Sequence, residues 1–399
     1  MSTALSIVRT LLGLLFDHTI GNIVRMIPII RLPKLERGPV SRGFLALLLG
    51  ILFFGLTMLF SASYSSGYTN HGGNIYYFIK PQAIVAAVGF VVMLGVSLIN
   101  YRALRYMFWT FYVITLALLV LALFMPSDNN GCYRWVYLPG GMSLQPSELS
   151  KVCFVYAGAS TMDRIMNKRN LILFIAYSVV ICGLLALMND FGTALIFFCA
   201  FLIIAYLRSG SMGTIALACT ALGFAGVLAL RIAPHALSRF ATWRHIWDDP
   251  FNSGYQQTQA IMCIASGGLF GLGPGNGYLQ KVFAADSDIV FATVSEEWGL
   301  LVAVQMVLAI SALGLFAIRT SRVSRSSFYC IGGCTAAGIL LIQASLNCLG
   351  TVDILPFTGV TFPFLSNGGT SMIGAWGLLA FVKAADTRQN ASFAVRFHK

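Results

Sequence analysis

The sequence predicts an all-α polytopic membrane protein of about ten transmembrane helices, with a large extracytoplasmic loop between the seventh and eighth spans. Three observations carry that expectation. Of 399 residues, 57% are hydrophobic and only 10% charged, whereas soluble domains are about a quarter charged. Apolar runs near the ~20 residues needed to cross a bilayer recur throughout. A long polar interruption, 233–295, separates the seventh run from the eighth.

The runs fall at about 43–61, 81–99, 106–125, 147–162, 170–188, 191–207, 213–232, 296–318, 327–350 and 369–384. The fourth is short and holds Glu148 and Lys151, so it reads as a helix shielded from lipid by its neighbours. The chain then divides into a basic cytoplasmic or interfacial segment (1–42), a membrane domain (43–384) and a cytoplasmic tail (385–399). Residues 4–30 are apolar but broken by Arg9, Asp17, His18 and Arg25, with no small-residue cleavage site following. That pattern suits an interfacial amphipathic helix better than a cleavable signal. The nine cysteines are scattered, mostly within apolar runs, and read as small packing residues.

The net charge of +12 has a topological explanation. With ten spans, 19 of the 26 Lys and Arg residues fall on the side of the termini, and 10 of the 14 acids do not. By the positive-inside rule the termini are cytoplasmic. Nucleic acid is not needed to account for the charge. The inner loops carry no phosphate-binding glycine motif, so chemistry is expected at the outer face and without nucleotide hydrolysis.

The outer segments carry the polar motifs. Ser61 to Gln82 returns through interfacial aromatics. Residues 129–151 contain Arg134 beside Trp135, a Pro-Gly-Gly turn, and Gln145-Pro146-Ser147-Glu148 entering a helix with Lys151. Glu148 either pairs with Lys151 at i, i+3 or faces a ligand; Arg134 and Lys151, charged at membrane depth, point to a cavity, partner or ligand. Asp190 stands where an N-cap would, or else orients a cation from a neighbouring helix. In the large loop, Arg239 precedes Gly254-Tyr255-Gln256-Gln257, and the run 266–277 offers glycine amides that either form an anion-binding nest or a plain loop. Asp286 and Asp288 follow, then Glu296 and Glu297, which either start a helix or bind a divalent ion. Residues 347–371 hold two prolines and Ser366-Asn367-Gly368-Gly369 in an apolar setting. Irregular backbone at that depth lines a cavity.

Together these stretches resemble the SEDS family of bacterial wall synthesis, which includes FtsW, RodA and SpoVE. The matching pieces are Arg134-Trp135 with QPSELSK to 151, NDFGTAL (189–195), DP with GYQ (249–256), SGGLFGLGPG (266–275), DIVFATVSEEWG (288–299) and LPFTGVTFPFLSNGGTS (355–371). The resemblance implies a peptidoglycan glycosyltransferase that polymerises lipid II, with a class B penicillin-binding protein as partner. The position matching the family's essential Asp is Asp288. Two departures stand out: Val282-Phe283-Ala284 where Leu-Pro-Glu is usual, and Asn367 where Tyr is common. The carboxylate lost at Ala284 either passes its role to Asp286 or is absent here.

The residues suit that chemistry. Asp288 is the candidate general base for a sugar hydroxyl attacking an anomeric carbon, a role typically worth about 10²–10⁴-fold. Arg134, Lys151 and Arg239 are candidates to stabilise the departing pyrophosphate, with Gln256, Glu148, Asp190 and Ser366 as further substrate-binding positions. No ligand set of recognisable spacing marks a metal site, and a divalent cation, Mg or Mn, stays open as cofactor. The Ser61-Ala62-Ser63-Tyr64 run leans toward the FtsW and SpoVE side. A lipid II flippase and a non-catalytic scaffold are the alternatives.

Overall fold

A computed structural model describes residues 49–53, 55–57, 76, 79–98, 108–126, 133–137, 143–163, 168–232, 234–324 and 326–387. The expected interfacial helix at 4–30, the Ser61–Tyr64 run and the tail beyond 387 lie outside them. The first expected span is represented by helical turns at 49–53 and 55–57. The remaining elements are α1 (Ile79–Leu98), α2 (Phe108–Leu123), β1 (Val136–Tyr137), β2 (Ser143–Leu144), α3 (Pro146–Asp163), α4 (Lys168–Leu187), α5 (Phe191–Ser209), α6 (Met212–Ile232), α7 (Pro234–Thr242), α8 (Tyr255–Gly267), a 3₁₀ turn (Leu279–Lys281), α9 (Val290–Trp298), α10 (Leu300–Val323), α11 (Ser327–Thr351) and α12 (Gly369–Thr387). The two short strands pair antiparallel, Val136 opposite Leu144.

Among the described residues four helices are long and apolar enough to cross a membrane, within α4, α5, α10 and α11, and shorter apolar helices lie within α1, α2, α6 and α12. The α3 helix is neither. Its Phe154, Ala157, Ala159 and Ser160 are fully buried, and it packs against α2, α4, α5, α11 and α12. Neighbouring helices thus supply the shelter that its polar residues require in a bilayer.

The second axis of the bundle is α11. Its Gly332-Gly333-Cys334-Thr335-Ala336-Ala337-Gly338 stretch lacks bulk, and all but Gly338 are buried. Small residues let helix backbones approach closely, which is how spans associate when lipid removes the hydrophobic driving force. A Cβ on Gly338 would meet Ile203 of α5, and one on Gly314 of α10 would lie 2.6 Å from Leu341. On the other flank, Trp376 of α12 is wedged between Phe90 and Phe364, each at 5.5 Å between ring centroids and edge-on.

One boundary differs from the sequence expectation. Hydropathy starts the eighth span at about 296, with Glu296 and Glu297 read as a helix start or a divalent-ion site. Instead α9 ends at Trp298, Gly299 breaks the chain at φ +89°, and α10 begins at Leu300. Glu296 and Glu297 therefore close a helix instead of opening one. Their carbonyl oxygens accept the amides of Leu272 and Gly273, and the Glu296 carboxylate accepts those of Tyr278 and Leu279 at 2.8 and 3.0 Å. Interactions distant in sequence outweigh the local preference.

Packing at Trp376 is directly testable. A side chain at Gly89 would overlap the Trp376 indole, whereas one at Gly95 meets open space. Gly89→Val is expected to destabilise the purified protein by about 1–3 kcal/mol. Gly95→Ala should leave stability unchanged or raise it by up to about 1 kcal/mol; detergent melts of the two variants check the contrast.

Candidate active site

Polar loops from most of the helices meet at one end of the bundle. The amide of Tyr133 donates to the Met188 carbonyl at 3.2 Å, joining the segment before β1 to the end of α4. Gly192, in the first turn of α5, lies against Thr358 and Val360. Gln82 of α1 donates to the Ser366 carbonyl at 3.2 Å, and the Gln145 amide donates to Thr370 Oγ1 at 3.3 Å. The irregular 352–368 stretch takes two of these contacts, from Gly192 and Gln82, and forms the floor on which they rest.

Asp288 sits on this floor. Its carbonyl accepts from Asn347 Nδ2 at 2.8 Å, and the same amide group donates to the Val360 carbonyl at 2.8 Å. The Ser287 hydroxyl donates to Asp288 Oδ1 at 3.0 Å. On the far side, Gly359 has φ +65° and a Cβ there would stand 3.0 Å from Asp288 Oδ2. Glycine is needed at that position for both conformation and room.

Burial pushes the Asp288 carboxyl up from 3.8 to about 6, against the Ser287 hydroxyl and the guanidinium groups of Arg134 and Arg239, which act downward; Asp286 adds to the rise. Two of the sequence-predicted cations thus lie within electrostatic range of Asp288. Arg239 is delivered by α7, where Nη1 donates to the Phe357 carbonyl at 3.3 Å. The loop after α7 is fastened to the same stretch: Trp243 Nε1 donates to the Ile354 carbonyl, and the Arg244 amide to both oxygens of Asp353. Arg244 and Asp353 both adopt positive φ, 63° and 59°, a strained conformation for side-chain-bearing residues that these mutual bonds hold in place.

The other predicted positions divide. Gln256 Nε2 donates to the Phe283 carbonyl at 2.8 Å, bracing the turn that leads to Asp288. Ser366 donates to the Ser287 carbonyl at 2.6 Å and accepts the Phe362 amide at 2.7 Å. Lys151 and Glu148 form a buried ion pair at 2.7 Å, the i, i+3 pairing that the sequence allowed, with Gly374 of α12 close against Glu148. Asp190 caps α5, its Oδ1 accepting the Thr193 amide at 3.2 Å. In the glycine run the amides of Gly271, Leu272 and Gly273 go to the backbone carbonyls of Gly267, Glu296 and Glu297, and the Glu296 carboxylate is held by the amides of Tyr278 and Leu279 just beyond the run. Sequence reading missed Asn347, which is polar within an apolar span. It also passed over Gly359, whose role only its neighbours reveal. Among the described residues no three His, Cys, Asp or Glu side chains gather as a metal-ligand set.

Long apolar helices around the sheltered α3 and α11 define a polytopic helical membrane protein. The chain belongs to the FtsW/RodA/SpoVE family of cell cycle proteins, which it matches over residues 42–391. It is 32% identical over 365 residues to a probable peptidoglycan glycosyltransferase FtsW of Tolumonas auensis, covering 87% of this chain and 92% of the relative. It is 30% identical over 275 residues to the peptidoglycan glycosyltransferase RodA of Mycobacterium bovis, covering 64% of this chain and spanning only 58% of that relative's length. Its fold is that of Thermus thermophilus RodA (TM-score 0.62, 22% identity, 88% of this chain and 97% of the other). A chain from a structure titled as a peptidoglycan synthase complex that coordinates polymerization and crosslinking also matches (TM-score 0.70, 20% identity, 88% and 98%).

The raised Asp288 pKa has a stability consequence. The folded state holds this proton more tightly than the unfolded chain, from about 6 down to the ordinary 3.8. Its contribution is therefore fully present below about pH 4 and lost as pH rises through about 6. Asp288→Asn should be more stable than wild type by up to about 3 kcal/mol near pH 8, with the difference closing below about pH 4; paired melts at the two pH values measure it.

Proposed function

We propose that the protein is a peptidoglycan glycosyltransferase that polymerises lipid II at the outer leaflet of the bacterial cytoplasmic membrane. The observation that carries this reading is a half-buried carboxylate, Asp288, held against Ser287 and Gly359 and within electrostatic range of the Arg134 and Arg239 guanidinium groups. In the reaction a sugar hydroxyl of one substrate attacks the anomeric carbon of the other. A carbon–oxygen bond forms as the bond from the anomeric carbon to the pyrophosphate oxygen breaks, with inversion at that carbon. Asp288 accepts the hydroxyl proton. Arg134 and Arg239 receive the charge that develops on the departing polyprenyl pyrophosphate. Gln256 and Ser366 hold the Asp288 loop in register. Lys151 and Glu148 neutralise each other and orient α3, and Asp190 fixes the start of α5 beside the 358–360 stretch.

The charge asymmetry of the loops supports cytoplasmic termini and an extracytoplasmic site. The match over most of their length to relatives named FtsW, against partial coverage of those named RodA, favours a division role. Likeness to a chain of a peptidoglycan synthase complex supports a class B penicillin-binding protein as partner.

Purified protein supplied with lipid II should form polymer, and Asp288→Asn should reduce the rate by about 10²-fold or more. The wild-type rate should rise with pH through an apparent pKa near the about 6 of Asp288, because only the ionised carboxylate accepts a proton. Arg239→Ala should lower kcat more than it raises KM. Transbilayer movement of lipid II without polymer, equal in wild type and Asp288→Asn, would establish a flippase instead.

A further inference from the structure

The segment preceding Asp288 is bound more tightly than a surface turn requires. Ala284 stands at φ +56°, and its carbonyl accepts the amides of Ser287 and Asp288 at 3.2 and 2.9 Å. From there each backbone carbonyl has its own outside donor. Ala285 receives Thr293 Oγ1 at 2.9 Å, Asp286 the Asn367 amide at 2.8 Å, Ser287 the Ser366 hydroxyl at 2.6 Å, and Asp288 the Asn347 side chain at 2.8 Å. The Asp286 carboxylate is gripped as well: Asn367 Nδ2 donates to its Oδ2 at 2.7 Å. Asn367 therefore holds Asp286 at both backbone and side chain.

The two points where the sequence departs from the family pattern, 282–284 and 367, converge here. Ala284 brings no carboxylate, and Asn367, in the other departing position, clamps a carboxylate two residues further on. With its backbone carbonyl held by the Asn367 amide and its Oδ2 by Asn367 Nδ2, the Asp286 side chain is tied to the 366–367 turn. Its charge stays where the loop puts it, within electrostatic range of Asp288.

We propose that Asp286, clamped by Asn367, is a positioning residue for the reaction: it fixes the 286–288 strand and supplies the negative charge that keeps Asp288 a competent proton acceptor beside two guanidinium groups. The charged groups acting on Asp288 are Arg134 from the segment before β1, Arg239 from α7 and Asp286 from its own loop. Among the described residues, Asp288 itself meets the neutral Asn347 of α11 and Gly359, while Ser366 and Asn367, also neutral, hold its neighbours Ser287 and Asp286. Asp286 acts in the same direction as burial and against the two guanidinium groups, so neutralising it lowers the Asp288 proton affinity. A weaker base removes less of the hydroxyl proton in the transition state. The carboxylate absent at position 284 is thus supplied from position 286, and the asparagine at 367 is the residue that makes the exchange work.

This inference rests on Asp288 as general base, and the test separates the two. The kcat–pH profile for lipid II polymerisation is measured for wild type, Asp286→Asn, Asn367→Leu, Asp288→Asn and the exposed-loop control Asp248→Asn, with a detergent melt for each. Asp286→Asn keeps an acceptor for Asn367 and loses only charge. It should move the acid limb down by about 0.5–1 unit and lower kcat near pH 8 about three- to tenfold, with KM and melting temperature near wild type. Asn367→Leu keeps the charge and loses the clamp, so kcat should fall with a smaller shift of the limb; Asp248→Asn should match wild type. An Asp286→Asn profile with an unshifted acid limb overturns the proposal, whether activity is retained or is lost together with melting temperature. Full activity of Asp288→Asn would overturn the general-base reading itself.

Discussion

The side-chain amide group of Asn347 donates two hydrogen bonds of equal length, one to the Asp288 carbonyl and one to the Val360 carbonyl. Those bonds join three parts of the chain that are remote in sequence: a buried span, the loop bearing the carboxylate, and the irregular return into α12. The group has two hydrogens and both are used. Neither carbonyl can find a regular helical partner, because one precedes α9 and the other lies in a stretch broken by Pro356, Gly359 and Pro363. Unpaired carbonyls buried at this depth would cost several kcal/mol each. The irregular backbone that forms the floor of the site therefore depends on donors projected from regular helices.

The same arrangement explains how a membrane bundle holds a functional loop still. Loops on soluble proteins are usually mobile, yet 283–288 receives donors from α8, α9, α11 and the 366–367 turn. Further out, Asp353 and Trp243 fasten α7 to the end of α11. Arg239 reaches the site because its helix is clamped at the following turn. Rigid elements of this kind keep charged groups at fixed separations, and electrostatic preorganisation requires that.

The buried acids show two uses of one residue type. Glu296 accepts two backbone amides and is the keel of the glycine loop. Asp288 has one side-chain donor, the neighbouring serine, and pays for its burial in raised proton affinity. A carboxylate satisfied by donors is structural; one left short of them in a polar cleft is chemically poised. Sequence proximity gives no hint of that division, since only eight positions separate the two.

Much was legible in the sequence for a physical reason. A bilayer demands long apolar helices with paired backbone, so composition alone predicts the spans, and most helix ends fall within a few residues of where hydropathy puts them. The convergence of the 129–151, 189–195, 233–295 and 355–371 stretches was legible too, since loop charge places them on one side. Arg134 was identifiable as a charge at membrane depth that needs a reason, and Asp288 by its match to the family's essential Asp. What the sequence could not decide was which donor meets which acceptor. Glu296 read as a helix start or an ion ligand until the fold brought residues 278–279 to its carboxylate; the glycine run read as a nest or a plain loop until Leu272 and Gly273 met the carbonyls of Glu296 and Glu297. Asn347, Gly359 and the Asp286–Asn367 clamp are pairings across tens of residues, and such pairings are set by packing of helices in three dimensions, which no local pattern records.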